Sequence, residues 1–273
     1  MIGVFDSGIG GLTVVRALME CLPEYDVLYF GDTARTPYGS KSASTVVKYA
    51  IENTELLLSR GARAVVLACN TASSVAPDIL RQRYDVPFFE VITPAAKLAV
   101  EGSRNGRIGV IGTRATVASG IYENVIETLR PEYRVFSSAC PLLVPLVEEG
   151  WGPKPETAMI VKKYLRPLKA CQIDTLILGC THYPLLFDLI QSKIGRRVRV
   201  IDSSTGVAAL VCRWKEQDDG GRTLTRRGRY RFMVSDATPH FETTARSILK
   251  RPIHLETLRS EEHTSELQSL LII

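Results

Sequence analysis

The sequence predicts an α/β fold of two pseudo-symmetric domains, each a mostly parallel sheet flanked by helices. Short apolar runs alternate with helical periodicity along most of the chain, the pattern of βα units. Two of those runs end alike: 64–68 stops at Cys69-Asn70-Thr71, and 176–179 stops at Cys180-Thr181-His182. Gly109-Val110 also lies 106 residues beyond Gly3-Val4, and Cys180 lies 111 beyond Cys69. Such near-equal offsets indicate a duplicated unit, each copy carrying one thiol at the C-terminal end of an equivalent strand.

The elements follow in order. Residues 1–5 form a strand that breaks at Asp6-Ser7-Gly8-Ile9-Gly10-Gly11, and Leu12, Val15, Leu18 and Met19 then fall at helical spacing. Strand, glycine turn and helix invite a dinucleotide reading, with Asp32 after the second strand (27–30) as a ribose-binding acid. Thr13 stands where the third glycine belongs, and Asp6 would repel a pyrophosphate, so a carboxylate or amine site ranks higher. Pro37 and Gly39 constrain Tyr38 in a polar turn that either lines a pocket or is plain surface. A helix runs from 43 to 60 with Gly61 as its C-cap. The third strand delivers Cys69, a helix with Pro77 near its start runs to 84, and 87–92 reads as a fourth strand. A helix between Thr93-Pro94 and the 102–106 stretch closes the first copy.

The second copy reads as a strand and turn at 107–114 like the opening one, a strand at 134–138, a short element at 142–149, a helix at 156–170, the Cys180 strand and a last strand at 198–201. From Thr205 the chain returns to the first unit through a helix (206–214), a basic hairpin (223–234) and a helix (241–249). The expected domains are therefore 1–95 plus 208–259 and 96–207. The segment 260–273 lacks periodicity and is expected to be a peripheral or foreign tail, removable with little loss of fold or activity.

Composition narrows the function. At 273 residues and 45% hydrophobic content the chain can fill two cores. No apolar stretch approaches the roughly 20 residues that span a bilayer. The first residues lack a basic region and cleavage site, so a cytoplasmic location and no membrane partner are expected. Six cysteines without a C-x-x-C pair are expected to be free thiols in a reducing compartment. The net charge of +5 is modest, and the densest basic cluster, 222–231, reads as a solvated hairpin rather than a nucleic-acid site.

Asp6, Cys69 and Cys180 all stand at the carboxyl ends of strands, where open parallel sheets bind ligands. Pro184 suits the first position of a helix after Cys180, whose free amides would favour an anion and a thiolate. Taken singly, a cysteine is more often core than catalyst, and Cys21, Cys140, Cys171 and Cys212 are assigned to that class. Zinc on Cys69, Cys180 and His182 lacks a closely spaced ligand pair, so no metal is expected. A cysteine hydrolase built on Cys180 and His182 leaves Cys69 without a task.

Four motifs carry a resemblance: Asp6-Ser7-Gly8-Ile9-Gly10-Gly11, Gly31-Asp32 with Pro37-Tyr38-Gly39, Ala68-Cys69-Asn70-Thr71-Ala72, and Gly179-Cys180-Thr181-His182-Tyr183-Pro184. In this order, over residues 1 to about 258, the chain resembles glutamate racemase, within the aspartate/glutamate racemase superfamily. The resemblance implies an active site between the two domains and cofactor-independent interconversion of L- and D-glutamate, supplying D-glutamate for peptidoglycan. It implies that Cys69 and Cys180 are the two bases, facing opposite sides of the substrate α-carbon, with Asp6 and His182 assisting them respectively. Ser7, Pro37, Tyr38, Gly39, Asn70, Thr71 and Thr181 would bind the substrate, with Asp6 and His182 beside them. It further implies a homodimer and no pyridoxal phosphate. Aspartate racemase or a related isomerase is the alternative in the same class. Inhibition of DNA gyrase, a binding role of some members, is the alternative in another class, with only the 222–231 cluster to suggest it.

Overall fold

The computed structural model describes residues 1–152, 154–217 and 224–258. The 260–273 tail and the first two positions of the basic cluster lie outside them. The chain opens with β1 (Ile2–Asp6), α1 (Leu12–Cys21), β2 (Val27–Gly31), α2 (Ala43–Ser59), β3 (Ala64–Leu67), α3 (Asn70–Ser73), α4 (Pro77–Arg83), β4 (Phe88–Glu90) and α5 (Ile92–Gly102). It continues with β5 (Arg107–Gly112), α6 (Arg114–Ala118), α7 (Ile121–Leu129), β6 (Arg134–Ala139), α8 (Leu143–Glu148), α9 (Pro155–Ala170), β7 (Thr175–Gly179), α10 (Phe187–Ile194), β8 (Arg199–Asp202) and α11 (Ser203–Gln217). After residue 223 come β9 (Tyr230–Val234), α12 (Pro239–Leu249) and β10 (Leu255–Thr257).

Two sheets result, a six-stranded one ordered β10-β9-β2-β1-β3-β4 and a four-stranded one ordered β6-β5-β7-β8. Every pairing in both is parallel. The segment β2-β1-β3-β4 repeats as β6-β5-β7-β8, so β3 and β7, the strands that lead to Cys69 and Cys180, are topological equivalents. β1, β2, β3 and β7 are buried along their whole length, because helices cover both faces of a parallel sheet. That is why they read as continuous apolar runs.

The fourth strand is shorter than the sequence suggests. β4 ends at Glu90, whose carboxylate accepts hydrogen bonds from the Ile92 amide at 2.6 Å and the Thr93 amide at 3.0 Å. A carboxylate placed there satisfies orphan N–H groups of α5 and opens that helix before Thr93-Pro94 rather than after it.

The expected basic hairpin is overturned: β9 lies parallel to both β2 and β10, and the described residues contain no antiparallel partner for it. Its arginines are committed locally. Asp26 receives the Arg229 amide and guanidinium, the latter at 2.8 Å, and Arg231 pairs with Glu256 at 2.7 Å. The expectation of six free thiols is also overturned. Cys21 and Cys212 form a disulfide with a Cα–Cα distance of 6.7 Å, while Cys69, Cys140, Cys171 and Cys180 are free. The pair joins the end of α1 to α11 across a sequence separation of 191. Packing of those two helices, invisible in local sequence, brings the thiols together.

Candidate active site

The carboxyl ends of the two sheets face one small cavity. Ser7, Cys69, Asn70 and Thr71 line it from the six-stranded side, with Pro37, Tyr38 and Gly39 from the loop after β2. Cys180, Thr181 and His182 face them from the end of β7. Of the residues that the resemblance assigned to the site, only Asp6 lies behind the wall rather than in it. Thr113 and Val144 complete the lining and were not foreseen. A signal existed for Thr113, which ends the β5 turn that parallels Asp6-Ser7 in the first copy.

The glycine turn after β1 serves close packing rather than phosphate binding. A side chain at Gly10 would place its Cβ 2.4 Å from Thr181 Oγ1 and 2.7 Å from His182 Nδ1. Gly10 therefore lets the Cys180-Thr181-His182 segment lie against the Asp6 turn. Asp6 Oδ2 accepts the Gly8 and Gly11 amides at 3.1 and 2.9 Å, and the Thr181 hydroxyl donates to Oδ1 at 3.2 Å. Burial raises the Asp6 pKa, against the opposing pull of the His182 charge and these donors. Asp32, the candidate ribose ligand, is already occupied by the Tyr38 hydroxyl and by Arg35 Nε at 2.6 Å. That network and Asn53, which donates to the Tyr38 oxygen at 3.0 Å, fix Tyr38 in the cavity wall.

The two thiols have unlike surroundings. Cys69 precedes α3, and its Sγ donates to Ser7 Oγ at 3.8 Å. Burial first, and the Asp6 carboxylate second, push its pKa up to about 12, outweighing the Ala72 amide and the Ser7 hydroxyl. Proximity to a helix N-terminus thus does not make Cys69 a thiolate in the closed cavity. Cys180 Sγ lies 3.9 Å from His182 Nδ1, and the opposite nitrogen, Nε2, lies 3.0 Å from Glu148 Oε1. Burial of the imidazole opposes its charge, but Cys180 and Glu148 dominate and push His182 up to about 10. Glu148, at the C-terminal end of α8, escaped sequence reasoning because no motif marks it. Pro184 falls in a 3-10 turn, Tyr183–Leu186, that precedes α10.

Two buried threads tie the sides together. Thr71, Thr113 and Thr116 share hydroxyl contacts of 3.0 to 3.4 Å. Tyr122 donates to Asn70 Oδ1 at 2.7 Å, and Asn70 Nδ2 donates to Ser203 Oγ at 3.4 Å. No lysine lines the cavity, and the described residues hold no cluster of His, Cys, Asp or Glu suited to a metal ion.

The sequence that builds this site matches a known family. The model described as Asp/Glu/Hydantoin racemase covers residues 11–211. The chain belongs to this family.

Among curated relatives of this chain, glutamate racemase from Persephonella marina is 46% identical over 94% of this chain and 96% of its own. Glutamate racemase from Neisseria meningitidis serogroup A is 46% identical over 92% and 93%. Among solved structures, glutamate racemase from Francisella tularensis in complex with D-glutamate superposes with a TM-score of 0.87, at 36% identity, covering 94% and 97% of the two chains. Aspartate racemase from Picrophilus torridus, at 20% identity and a TM-score of 0.54 over 81% of this chain, shares the fold. No helix among the described residues is long and apolar enough to cross a membrane.

Proposed function

We propose that this chain interconverts L- and D-glutamate by a cofactor-independent, two-base reaction, Cys69 and Cys180 each serving one face of the substrate α-carbon. The observation that carries this reading is the pair of thiols across one small cavity, each with its own polar partner: Ser7 for Cys69 and His182 for Cys180. Racemisation must remove a proton from one face and return one to the other, which requires one thiolate and one thiol at the same time. The buried Cys69, with its pKa at about 12, keeps its proton and so stands as the acid of the L-to-D direction, in which Cys180 is the base.

Cys180 thiolate takes the α-proton, the electron pair is delocalised into the adjacent carboxylate, and the Cys69 thiol donates its proton to the opposite face. D-glutamate leaves behind a Cys180 thiol and a Cys69 thiolate, the state that acts on D-glutamate in reverse. Asp6, whose carboxylate neighbours Cys69, assists that thiol. Ser7, Tyr38, Asn70, Thr71 and Thr181, with the Pro37 to Gly39 backbone, bind the carboxylates and amine. A Schiff base with pyridoxal phosphate has no lysine to form on in this lining. The reading extends to a homodimer in the cytoplasm supplying D-glutamate for peptidoglycan, with the lobes divided as 1–95 plus 208–259 and 96–207. The identity of the curated relatives favours glutamate over aspartate.

The test is circular dichroism of L- and D-glutamate and of both aspartates, incubated with protein and no added cofactor. Glutamate alone should lose its signal. In deuterated water at low conversion, product should carry deuterium at the α-carbon and recovered substrate should not. Deuterium entering both enantiomers at equal rates would exclude a two-base route. Cys69→Ala and Cys180→Ala should each abolish turnover in both directions.

A further inference from the structure

Tyr122 is a fully buried residue on α7, outside every motif that points to the chemistry, yet it touches both thiol-bearing segments. Its hydroxyl donates to Asn70 Oδ1, the residue next to Cys69, at 2.7 Å. Its ring lies over the last residue before Cys180: a Cβ on Gly179 would come within 3.1 Å of the Tyr122 Cε2 atom. The side chain therefore connects the end of β3 to the end of β7.

A carboxamide presents donors on one side and an acceptor on the other, and which side faces a ligand depends on its partners. Here the acceptor, Oδ1, is taken by Tyr122, and one Nδ2 hydrogen goes to Ser203. The other remains for the cavity, which Asn70 lines. Burial holds the Tyr122 phenol well above its ordinary pKa, so it stays a donor. We propose that Tyr122 is a positioning residue that locks the Asn70 carboxamide with its N–H toward the substrate carboxylate. Without it the amide either turns over, presenting an oxygen to an anion, or stays in place with its buried acceptor unpaired, a costly arrangement. This inference rests on the glutamate-racemase reading.

The contact is made equally to bound substrate and to the transition state, so its loss falls on KM rather than kcat. Tyr122→Phe keeps the ring and removes the hydroxyl. KM for both enantiomers should rise roughly tenfold, the scale of one hydrogen bond to a charged group, with kcat little changed. Adding Tyr122→Phe to Asn70→Ala should change nothing further, because Tyr122 acts through Asn70. An unchanged KM in Tyr122→Phe, or losses that multiply in the double variant, would overturn the proposal. Should Tyr122→Phe fail to fold, Ser203→Ala frees the amide from its other end and carries the same expectation. A readout independent of turnover is the Asn70 side-chain NH2 resonance pair, sharp and slowly exchanging in the parent protein and broadened in Tyr122→Phe. An inactive parent protein with that NMR difference would refute the functional reading alone; an active parent without it would refute the role of Tyr122.

Discussion

Within the cavity, the chemistry depends on charges that burial would otherwise suppress. His182 is held at about 10 against an ordinary 6.5 because Cys180 and Glu148 outweigh desolvation. A folded-state value raised above the unfolded one stabilises the fold fully below pH 6.5, and that contribution is lost as pH rises through about 10. The melting temperature should therefore fall across this window, and His182→Gln should flatten the fall; an identical pH profile in the variant would contradict the charged imidazole. Glu148→Gln should shift the alkaline limb of kcat to lower pH, since it removes one of the groups that hold the proton. Gly39 faces a steric limit instead. A Cβ there would sit 2.4 Å from Thr113 Cβ, so Gly39→Ala must push the Tyr38 loop away from the opposite wall. We expect a cost of about 1–3 kcal/mol, as for other overpacked sites, read from the urea midpoint, and a raised KM for glutamate.

Secondary-structure elements carry the duplication. Strands β1 to β4 and β5 to β8 repeat one order, and α11 runs from the second sheet back onto α1, where Cys21 and Cys212 join. That crosslink closes a loop across a sequence separation of 191, so its removal should cost roughly 2–5 kcal/mol by the loop-entropy account. Cys21→Ser, or reduction of the parent protein, should lower the melting temperature, and reductant should then have no effect on the Cys21→Ser variant. The crosslink lies away from the cavity, so kcat should be unaffected by either change. The thiol motifs were legible at this scale because each strand is fully buried and stops where polar residues begin. The parallel course of β9 was not, because a strand's direction depends on which distant edge it joins. The Arg229 and Arg231 that suggested an exposed hairpin answer Asp26 and Glu256, residues far apart in sequence.

For the whole molecule, the site exists only where the two sheets meet, so a substrate that contacts both should hold them together. Ligand that binds only the folded state stabilises it by about 2.7 kcal/mol at a hundredfold excess over Kd. D-glutamate should accordingly raise the melting temperature of a Cys69→Ala protein, which cannot turn it over, and D-aspartate, one methylene shorter, should raise it less. Equal shifts for the two would argue for the wider superfamily chemistry rather than for glutamate.

The sequence by itself determined the parallel α/β class, the repeat and the residues that come to face one another: Ser7, Tyr38, Cys69, Asn70, Cys180, Thr181 and His182. Burial on both faces makes a strand a visible apolar run, and a ligand site at its end makes a visible break. Tertiary structure alone decided which residues stand behind these. Glu148 at His182, Tyr122 at Asn70, Thr113 and Thr116 at Thr71, and Cys21 at Cys212 are partners across long stretches of chain. It also decided the state of Cys69, on which the sequence was silent: enclosure beside Asp6 keeps the proton on the sulfur. Local sequence encodes the helix terminus, whereas desolvation depends on everything packed around it.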